Sequence, residues 1–221
     1  MNCILLRYGE IGLKSKGTRL RFERLYLKAI KEALTRNQVK DFKIKNLGGR
    51  FVVYTENNIN NVLKKVPGIQ SLSPAINFSF VDKNDLLKQI KKLSIKKVKG
   101  KTFAVRVKRI GNHNFSSHEL EKEAGSVLYN VTKGVNLTNP EIQINLEIRN
   151  KEAYLFTETE EAIGGMPPTS SGKILALFSG GIDSPVAAYQ MLKRGCQVDF
   201  ILINLIEEKS FNDVAKIYNY L

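Results

Sequence analysis

The chain has 221 residues, 43% of them hydrophobic, and a formal net charge of +14. This length and composition fit a folded protein of one to three small domains. No run of apolar residues approaches the roughly 20 that a membrane span needs, so we expect no membrane-spanning helix. The first residues do not have the pattern of a secretory signal. The two cysteines, Cys3 and Cys196, are interpreted as small core residues rather than a disulfide, so we expect a cytoplasmic protein.

Positive charge is concentrated towards the N-terminus. The net charge is +10 over residues 1–80, +4 over 81–170 and zero over 171–221. This asymmetry indicates a polyanion bound by the front of the chain, although a lysine-rich solvated surface is the alternative.

The first 80 residues predict alternating strands and helices. In chain order the pattern gives strand 2–8, helix 18–36, strands 42–47 and 50–55 around a Gly48-Gly49 turn, helix 59–66 and an extended stretch 69–81. This βαββαβ order is typical of a ferredoxin-like domain, to which we assign residues 1–80.

The helix predicted over 18–36 has an apolar and a basic face. Its apolar positions follow helical spacing at Phe22, Tyr26, Ala29, Ile30, Ala33 and Leu34. Its basic positions, at i, i+3, i+7 and i+10, are Arg21, Arg24, Lys28 and Lys31. Such a face suits contacts with RNA phosphates.

A second α/β unit is predicted over residues 81–163. Its elements are helix 83–93, strand 102–108, helix 117–131 and strands 141–149 and 153–158. Asp85 is the only acid between residues 83 and 109, against 11 basic residues. Without interleaved aromatic residues, this window favours recognition of RNA backbone or shape over base sequence. The candidate contacts here are Lys101, Arg106, Lys108 and Arg109.

A linker rich in Gly, Pro and Ser, residues 164–172, leads to a third unit over 173–221. An apolar run over 174–178 predicts a buried parallel strand, Pro185 fits the first turn of a helix, and a second strand over 198–204 precedes a helix over 211–221. A doubly wound parallel sheet needs more elements than these 49 residues supply. We therefore expect either a fragment or a second polypeptide that completes the sheet.

The turn between the strand and helix of the third unit has the composition of an anion site. Gly180 and Gly181 let the backbone approach a phosphate, and Ser179 and Ser184 add hydroxyl donors at a helix N-terminus. Asp183 would repel a bare phosphate, so its presence suggests a Mg²⁺ ion between carboxylate and phosphates. The alternative is an ordinary glycine-rich turn with an Asp-Ser helix cap.

Three stretches together resemble the tRNA 4-thiouridine synthetases, or tRNA sulfurtransferases, of the ThiI family. The loop resembles the pyrophosphate-binding loop (PP-loop) of ATP pyrophosphatases. Arg7–Lys14 with Phe22-Glu23 resembles the N-terminal part of the family. The stretches that resemble a THUMP RNA-binding domain are Ser116–Leu120, Asn139-Pro140 and Glu147–Arg149. Gly164–Pro167 and Gly172-Lys173 resemble the family's junction before the loop. The resemblance implies an α/β fold: a ferredoxin-like domain (1–80), a THUMP domain (81–163), a linker (164–172) and the first part of a PP-loop domain (173–221).

The resemblance also implies the chemistry. The family adenylates uridine 8 of tRNA at C4 with ATP and Mg²⁺, and sulfur from a persulfide donor, such as a cysteine desulfurase, displaces AMP; the family name also links it to thiamine biosynthesis. Asp183 would be the catalytic residue and Mg²⁺ ligand. The implied ATP contacts are Leu177, Phe178, Ser179, Gly180, Gly181, Asp183, Ser184, Leu202 and Ile203. The expected partners are tRNA, the sulfur donor, a completing polypeptide and a second copy in a homodimer.

Alternatives remain open at this point. The chain could be a tRNA-binding module with a vestigial loop, or a small-molecule adenylating enzyme, which has no use for a basic front. Glu10 could be a general base or an ion-pair partner of Arg7 and Lys14. His113 and His118 have no further ligands at metal-binding spacing.

Overall fold

The computed structural model describes residues 1–9, 14–179, 181–203 and 208–220. Contacts divide the chain into two compact units. The first unit comprises Met1–Leu5, Val52–Glu56 and Ser73–Glu160, and the second Leu6–Phe51, Asn57–Leu72 and Glu161–Leu221. Glu10, which the sequence suggested as a base or an ion-pair partner, lies outside the described residues.

Strands and helices alternate along the described chain. The strands are β1 Asn2–Tyr8, β2 Lys43–Asn46, β3 Phe51–Tyr54, β4 Ile69–Ser79, β5 Thr102–Ile110, β6 Gly134–Val135, β7 Ile142–Arg149, β8 Glu152–Phe156, β9 Glu160–Glu161, β10 Lys173–Phe178 and β11 Gln197–Leu202. The helices are α1 Lys16–Arg36, α2 Asn60–Lys64, α3 Lys83–Val98, α4 Ser117–Tyr129, α5 Asp183–Lys193 and α6 Glu208–Tyr220. The mixed α/β class predicted from the sequence is confirmed. None of the helices in these ranges is long and apolar enough to cross a membrane.

The N-terminal elements follow the predicted βαββαβ order. One sheet has the strand order β2-β3-β1-β4-β8-β7-β5-β6, with β9 beside β4. The segment β2-β3-β1-β4 is the strand order of a ferredoxin-like fold. The two-residue strands β6 and β9 were not predicted, because a pattern of period two needs more residues than these contain.

The apolar face of α1 is buried as predicted. Phe22, Tyr26, Ile30 and Leu34 lie in the core, and the ring of Tyr26 stacks on that of Tyr8 at a centroid distance of 5.5 Å. The opposite, basic face of the helix is therefore turned to solvent.

Helix α3 is longer than the sequence predicted. It continues to Val98, and its buried residues recur every fourth position at Leu86, Ile90, Ser94 and Val98. The polar Ser94 occupies a fully buried position in this series. It interrupted the apolar pattern, so the predicted helix ended at residue 93.

Strands β10 and β11 are parallel, as predicted, with Leu177 aligned to Ile201 and Phe178 to Leu202. One face of the pair packs against helices α5 and α6 through a small core that includes Phe178. The other face is exposed, with Leu175 64% and Leu177 70% accessible. The prediction of a fully buried strand was therefore wrong for this face, because both packed helices lie on the opposite side.

Candidate nucleotide loop and nucleic-acid surfaces

Two serines close the loop between β10 and α5. The main-chain N–H of Ser179 donates to Ser184 Oγ at 2.9 Å, and the two hydroxyls are 3.0 Å apart. The N–H of Gly181 reaches Ser179 Oγ at 3.4 Å. These contacts fold the loop back onto the first turn of α5, where unpaired N–H groups favour an anion. Gly180 lies outside the described residues.

Asp183 is the first residue of α5 and is exposed. The residue at the N-cap is Ile182, and no side chain caps this helix. Within the described part of the chain, the Asp183 carboxylate makes no hydrogen bond or ion pair. The alternative that Asp183 caps the helix is therefore wrong, and the carboxylate faces solvent beside the loop.

The donors of the loop fit a magnesium ion shared with phosphates. Mg²⁺ binds oxygen ligands and is commonly held by one or two carboxylates plus substrate phosphates. The exposed Asp183 carboxylate is one such ligand. Among the described residues no group of three or more metal-binding side chains exists.

The four apolar residues suggested as nucleotide contacts lie at the carboxyl ends of β10 and β11, which meet at one edge of this sheet. Leu177 and Ile203 are exposed, at 70% and 63%. Phe178 is buried, with its ring 5.0 Å from that of Phe200, and Leu202 packs against the same core. Leu177 and Ile203 are thus the most accessible side chains of the four, whereas Phe178 can contribute main-chain groups only and Leu202 is half-buried.

The four basic residues predicted on α1 are all exposed and lie along one stripe of the helix. Arg21 donates to the main-chain carbonyl of Ser170 at 3.1 Å, and Lys28 lies 3.9 Å from Glu32. Arg24 and Lys31 make no such contact with any described residue. The stripe therefore contains one residue that is tied to the linker and at least two free cations.

The basic residues of β5 point to two different faces. Arg106 and Lys108 share one face, aligned with Asn145 and Glu147 of β7. Arg109 lies on the other, with its guanidinium 6.0 Å from the Phe115 ring centre. Lys101 precedes the strand and is exposed. These four cations therefore do not form one surface.

Lys83, part of the predicted basic window, is neutralised by two glutamates. Its ammonium lies 2.7 Å from both Glu119 and Glu123. Hydrogen bonds to Glu119 and then Glu123 raise the pKa of Lys83, and the bond from Lys83 lowers the pKa of Glu119. Glu119 also completes a capping box with Ser116, which the Ser-x-x-Glu pattern could have revealed.

Three family models match the chain. They are the ThiI ferredoxin-like domain over residues 3–73, the THUMP domain over 81–158 and the thiamine biosynthesis protein (ThiI) over 169–221. The matches follow the order proposed from the sequence, and the exact domain bounds given above stay predictions.

Curated relatives are named tRNA sulfurtransferases. The protein of Thermoplasma volcanium is 39% identical over 226 residues, which cover 98% of this chain and 45% of that protein. The protein of Desulfurococcus amylolyticus is 40% identical and covers 87% and 40%, respectively. The chain thus spans about half the length of the curated relatives it matches.

Two solved structures are similar over almost the whole chain. PH1313 from Pyrococcus horikoshii superposes with a TM-score of 0.86 and 30% identity, covering 100% of this chain and 74% of that one. A 4-thiouridine synthetase in complex with RNA and bound ATP superposes with a TM-score of 0.76 and 30% identity, covering 98% and 57%.

Proposed function

Because the chain belongs to the ThiI family of tRNA sulfurtransferases, we propose that it carries the tRNA-binding surfaces and part of the ATP site of an enzyme that thiolates tRNA. The observation that carries this proposal is the loop closed by Ser179 and Ser184 at the start of α5. The RNA and ATP bound to a similar solved structure support it.

The loop binds the phosphates of ATP. The hydroxyls of Ser179 and Ser184 and the main-chain N–H groups at the start of α5 donate to phosphate oxygens, and the helix dipole favours their charge. Asp183 would be a ligand of Mg²⁺, and the bound ion would supply positive charge to the leaving pyrophosphate. Leu177 and Ile203 flank the adenine, and the main chain at Phe178 and Leu202 meets its edge.

The reaction has two stages, adenylation and sulfur transfer, as in the family that the sequence resembles. The C4 oxygen of uridine 8 attacks the α-phosphorus of ATP, the bond to the β-phosphate breaks, and pyrophosphate leaves. The outer sulfur of a persulfide, supplied by a cysteine desulfurase or another donor, then attacks C4 and displaces AMP. This leaves a disulfide between the donor and C4, and a second thiol reduces that disulfide and releases 4-thiouridine. Basic residues of the α1 stripe and of β5 bind the tRNA through its phosphates.

Further polypeptide completes the catalytic domain. The exposed face of β10 and β11, where Leu175 and Leu177 are accessible, supports the need for further polypeptide, because parallel sheets are normally covered on both faces. This face could be covered by a continuation of the chain, by a separate polypeptide or by a second copy in a homodimer. We therefore propose that the 221 residues bind tRNA and ATP but do not thiolate tRNA alone.

Three measurements on the purified chain test the proposal. ATP binding with Mg²⁺, followed by calorimetry, is expected for the natural chain and strongly weakened by Ser179→Ala with Ser184→Ala. Filter binding of tRNA is expected to persist in that variant. Absence of ATP binding with retained tRNA binding would instead favour a tRNA-binding module with a vestigial loop. Formation of 4-thiouridine by the chain alone, with ATP, Mg²⁺ and a persulfide donor, would contradict the need for further polypeptide.

A further inference from the structure

A small polar pocket lies within the second unit, where the linker passes the end of α5. It encloses about 270 Å³ and is lined by Gly9, Gln70, Gly165, Met166, Gln190 and the pair Lys193 and Arg194. This volume is just below the roughly 300–1,000 Å³ of typical small-molecule sites. The pocket therefore suits a single charged group better than a whole nucleotide.

Lys193 and Arg194 bring two positive charges to this pocket. The main-chain carbonyl of Lys193 accepts from the N–H of Met166 at 2.9 Å, and that of Arg194 accepts from Ser171 Oγ at 2.8 Å. These donors satisfy helix-end carbonyls that would otherwise attract the two cationic side chains. In the described ranges neither side chain pairs with a carboxylate. Both charges thus remain available to an anion.

The rest of the lining, apart from Met166, consists of glycine backbone and amide side chains. Gly165 has φ +88°, and a Cβ there would lie 2.2 Å from the Lys193 carbonyl oxygen, so only glycine lets the linker approach this closely. A Cβ added at Gly9 would lie 3.6 Å from Oε1 of Gln70. The amides of Gln70 and Gln190 offer neutral N–H donors, and among the described residues no carboxylate lines the pocket.

We propose that the pocket of Lys193 and Arg194 binds a phosphate group, either of the RNA backbone or of free inorganic phosphate. Arginine and lysine are the usual partners of phosphate, and neutral amide donors add hydrogen bonds without charge repulsion. Binding of an RNA phosphate in this pocket rests on the proposed function, whereas binding of inorganic phosphate does not. The site is separate from the PP-loop, because the pair stands at the opposite end of α5 from Ser184.

A double variant, Lys193→Gln with Arg194→Gln, tests the proposal on the full chain. The matched control is Lys43→Gln with Lys45→Gln, which removes two exposed charges from β2. If RNA is the source, the pocket variant flattens the salt dependence of tRNA binding by about one unit of slope, for one phosphate contact, and the control variant does not.

A calorimetric titration with inorganic phosphate distinguishes the second source. The pocket is assigned to free phosphate if the pocket variant loses one class of phosphate-binding sites while the salt dependence of its tRNA binding is unchanged. Natural-like behaviour of the pocket variant in both assays overturns the proposal. If the natural chain itself binds no tRNA, the proposed function fails, and the phosphate titration still decides whether the pocket is an anion site.

Discussion

The guanidinium of Arg21 donates a hydrogen bond to the main-chain carbonyl of Ser170, 149 positions further along the chain, at 3.1 Å. Arg21 stands on the basic stripe of α1, and Ser170 is a buried residue of the linker before β10. Ser171, the next residue, is hydrogen-bonded to the end of α5 through Arg194. One predicted RNA contact therefore also anchors the segment that leads into the nucleotide loop.

Replacing Arg21 by Leu is expected to lower the free energy of unfolding by about 1 kcal/mol, because the carbonyl of Ser170 loses its donor. Arg24→Leu, on the same stripe, is the control and should leave stability unchanged, since Arg24 is exposed and has no partner among the described residues. Urea denaturation of both variants measures the difference. Equal stability of the two would mean that the bond to Ser170 contributes nothing.

Replacing Arg24, Lys28 and Lys31 together by Gln is expected to weaken tRNA binding and reduce its salt dependence. Each lost phosphate contact should remove about one unit from the slope. The exposed pair of Lys28 with Glu32 is too weak to hold the lysine away from a phosphate. Filter binding over a salt series is the measurement, with Lys43→Gln and Lys45→Gln as control. An unchanged slope in the triple variant would exclude this stripe as the RNA surface.

Local sequence patterns predicted the helices and strands, but they did not predict contacts between residues far apart in the chain. The βαββαβ order followed from apolar periodicity and the turn glycines. The neutralisation of Lys83 did not, because Glu119 and Glu123 lie 36 and 40 positions away. Lys108 and Arg109 point to opposite faces because both lie inside β5, where successive side chains alternate. The predicted strand ended at residue 108, so this difference was not predicted.

The strand and the helix on either side of the candidate loop were predicted from sequence, because an apolar run followed by glycines, Ser and Pro is a local signal. What the sequence left open was the cap of α5, which depends on where the helix begins. The exposed face of Leu175 and Leu177 was missed for another reason. An apolar strand has the same composition whether or not a partner covers it.

The hydrogen bond from Tyr8 to Glu23, 2.5 Å long and buried, predicts a loss of stability at high pH. Burial, and then the bond to Glu23, raise the pKa of Tyr8 from 10.0 to about 12. Since the folded state holds this proton more tightly, its contribution to stability is full below pH 10 and is lost as the pH rises through 12. Burial also raises the pKa of Cys3 from 9.0 to about 12, so its contribution is full below pH 9 and is lost as the pH rises through 12.

Urea denaturation between pH 9 and pH 12 measures this dependence. Tyr8→Phe is expected to make it shallower, and Tyr8→Phe with Cys3→Ala shallower still. A dependence as steep in the double variant as in the natural chain would assign it to other groups.

Gly165→Ala is expected to destabilise the second unit by more than the strain of its positive φ alone. The added Cβ would meet the Lys193 carbonyl at 2.2 Å, and this carbonyl is the acceptor for Met166 N–H. Gly100→Ala is the control, because Gly100 also has a positive φ, +67°, but open space around its Cβ position. We expect roughly 1–3 kcal/mol from backbone strain in both variants and a further loss only at Gly165, measured by urea denaturation. Equal losses would mean that the linker moves away from α5 without cost.

Asp183→Asn is expected to reduce pyrophosphate release on the order of 10²-fold in a preparation that forms 4-thiouridine, because the proposed Mg²⁺ ligand loses its charge. Stability and tRNA binding should stay unchanged, since the Asp183 side chain caps no helix. A capping role would instead lower stability by about 1 kcal/mol and leave ATP turnover intact. Asp199→Asn is the matched control: it removes an equal charge, one that is paired with Lys173 at 2.6 Å on the same sheet. Pyrophosphate release and thermal unfolding measured on both variants separate the two roles, and equal turnover by Asp183→Asn and Asp199→Asn would refute a part for Asp183 in the phosphate chemistry.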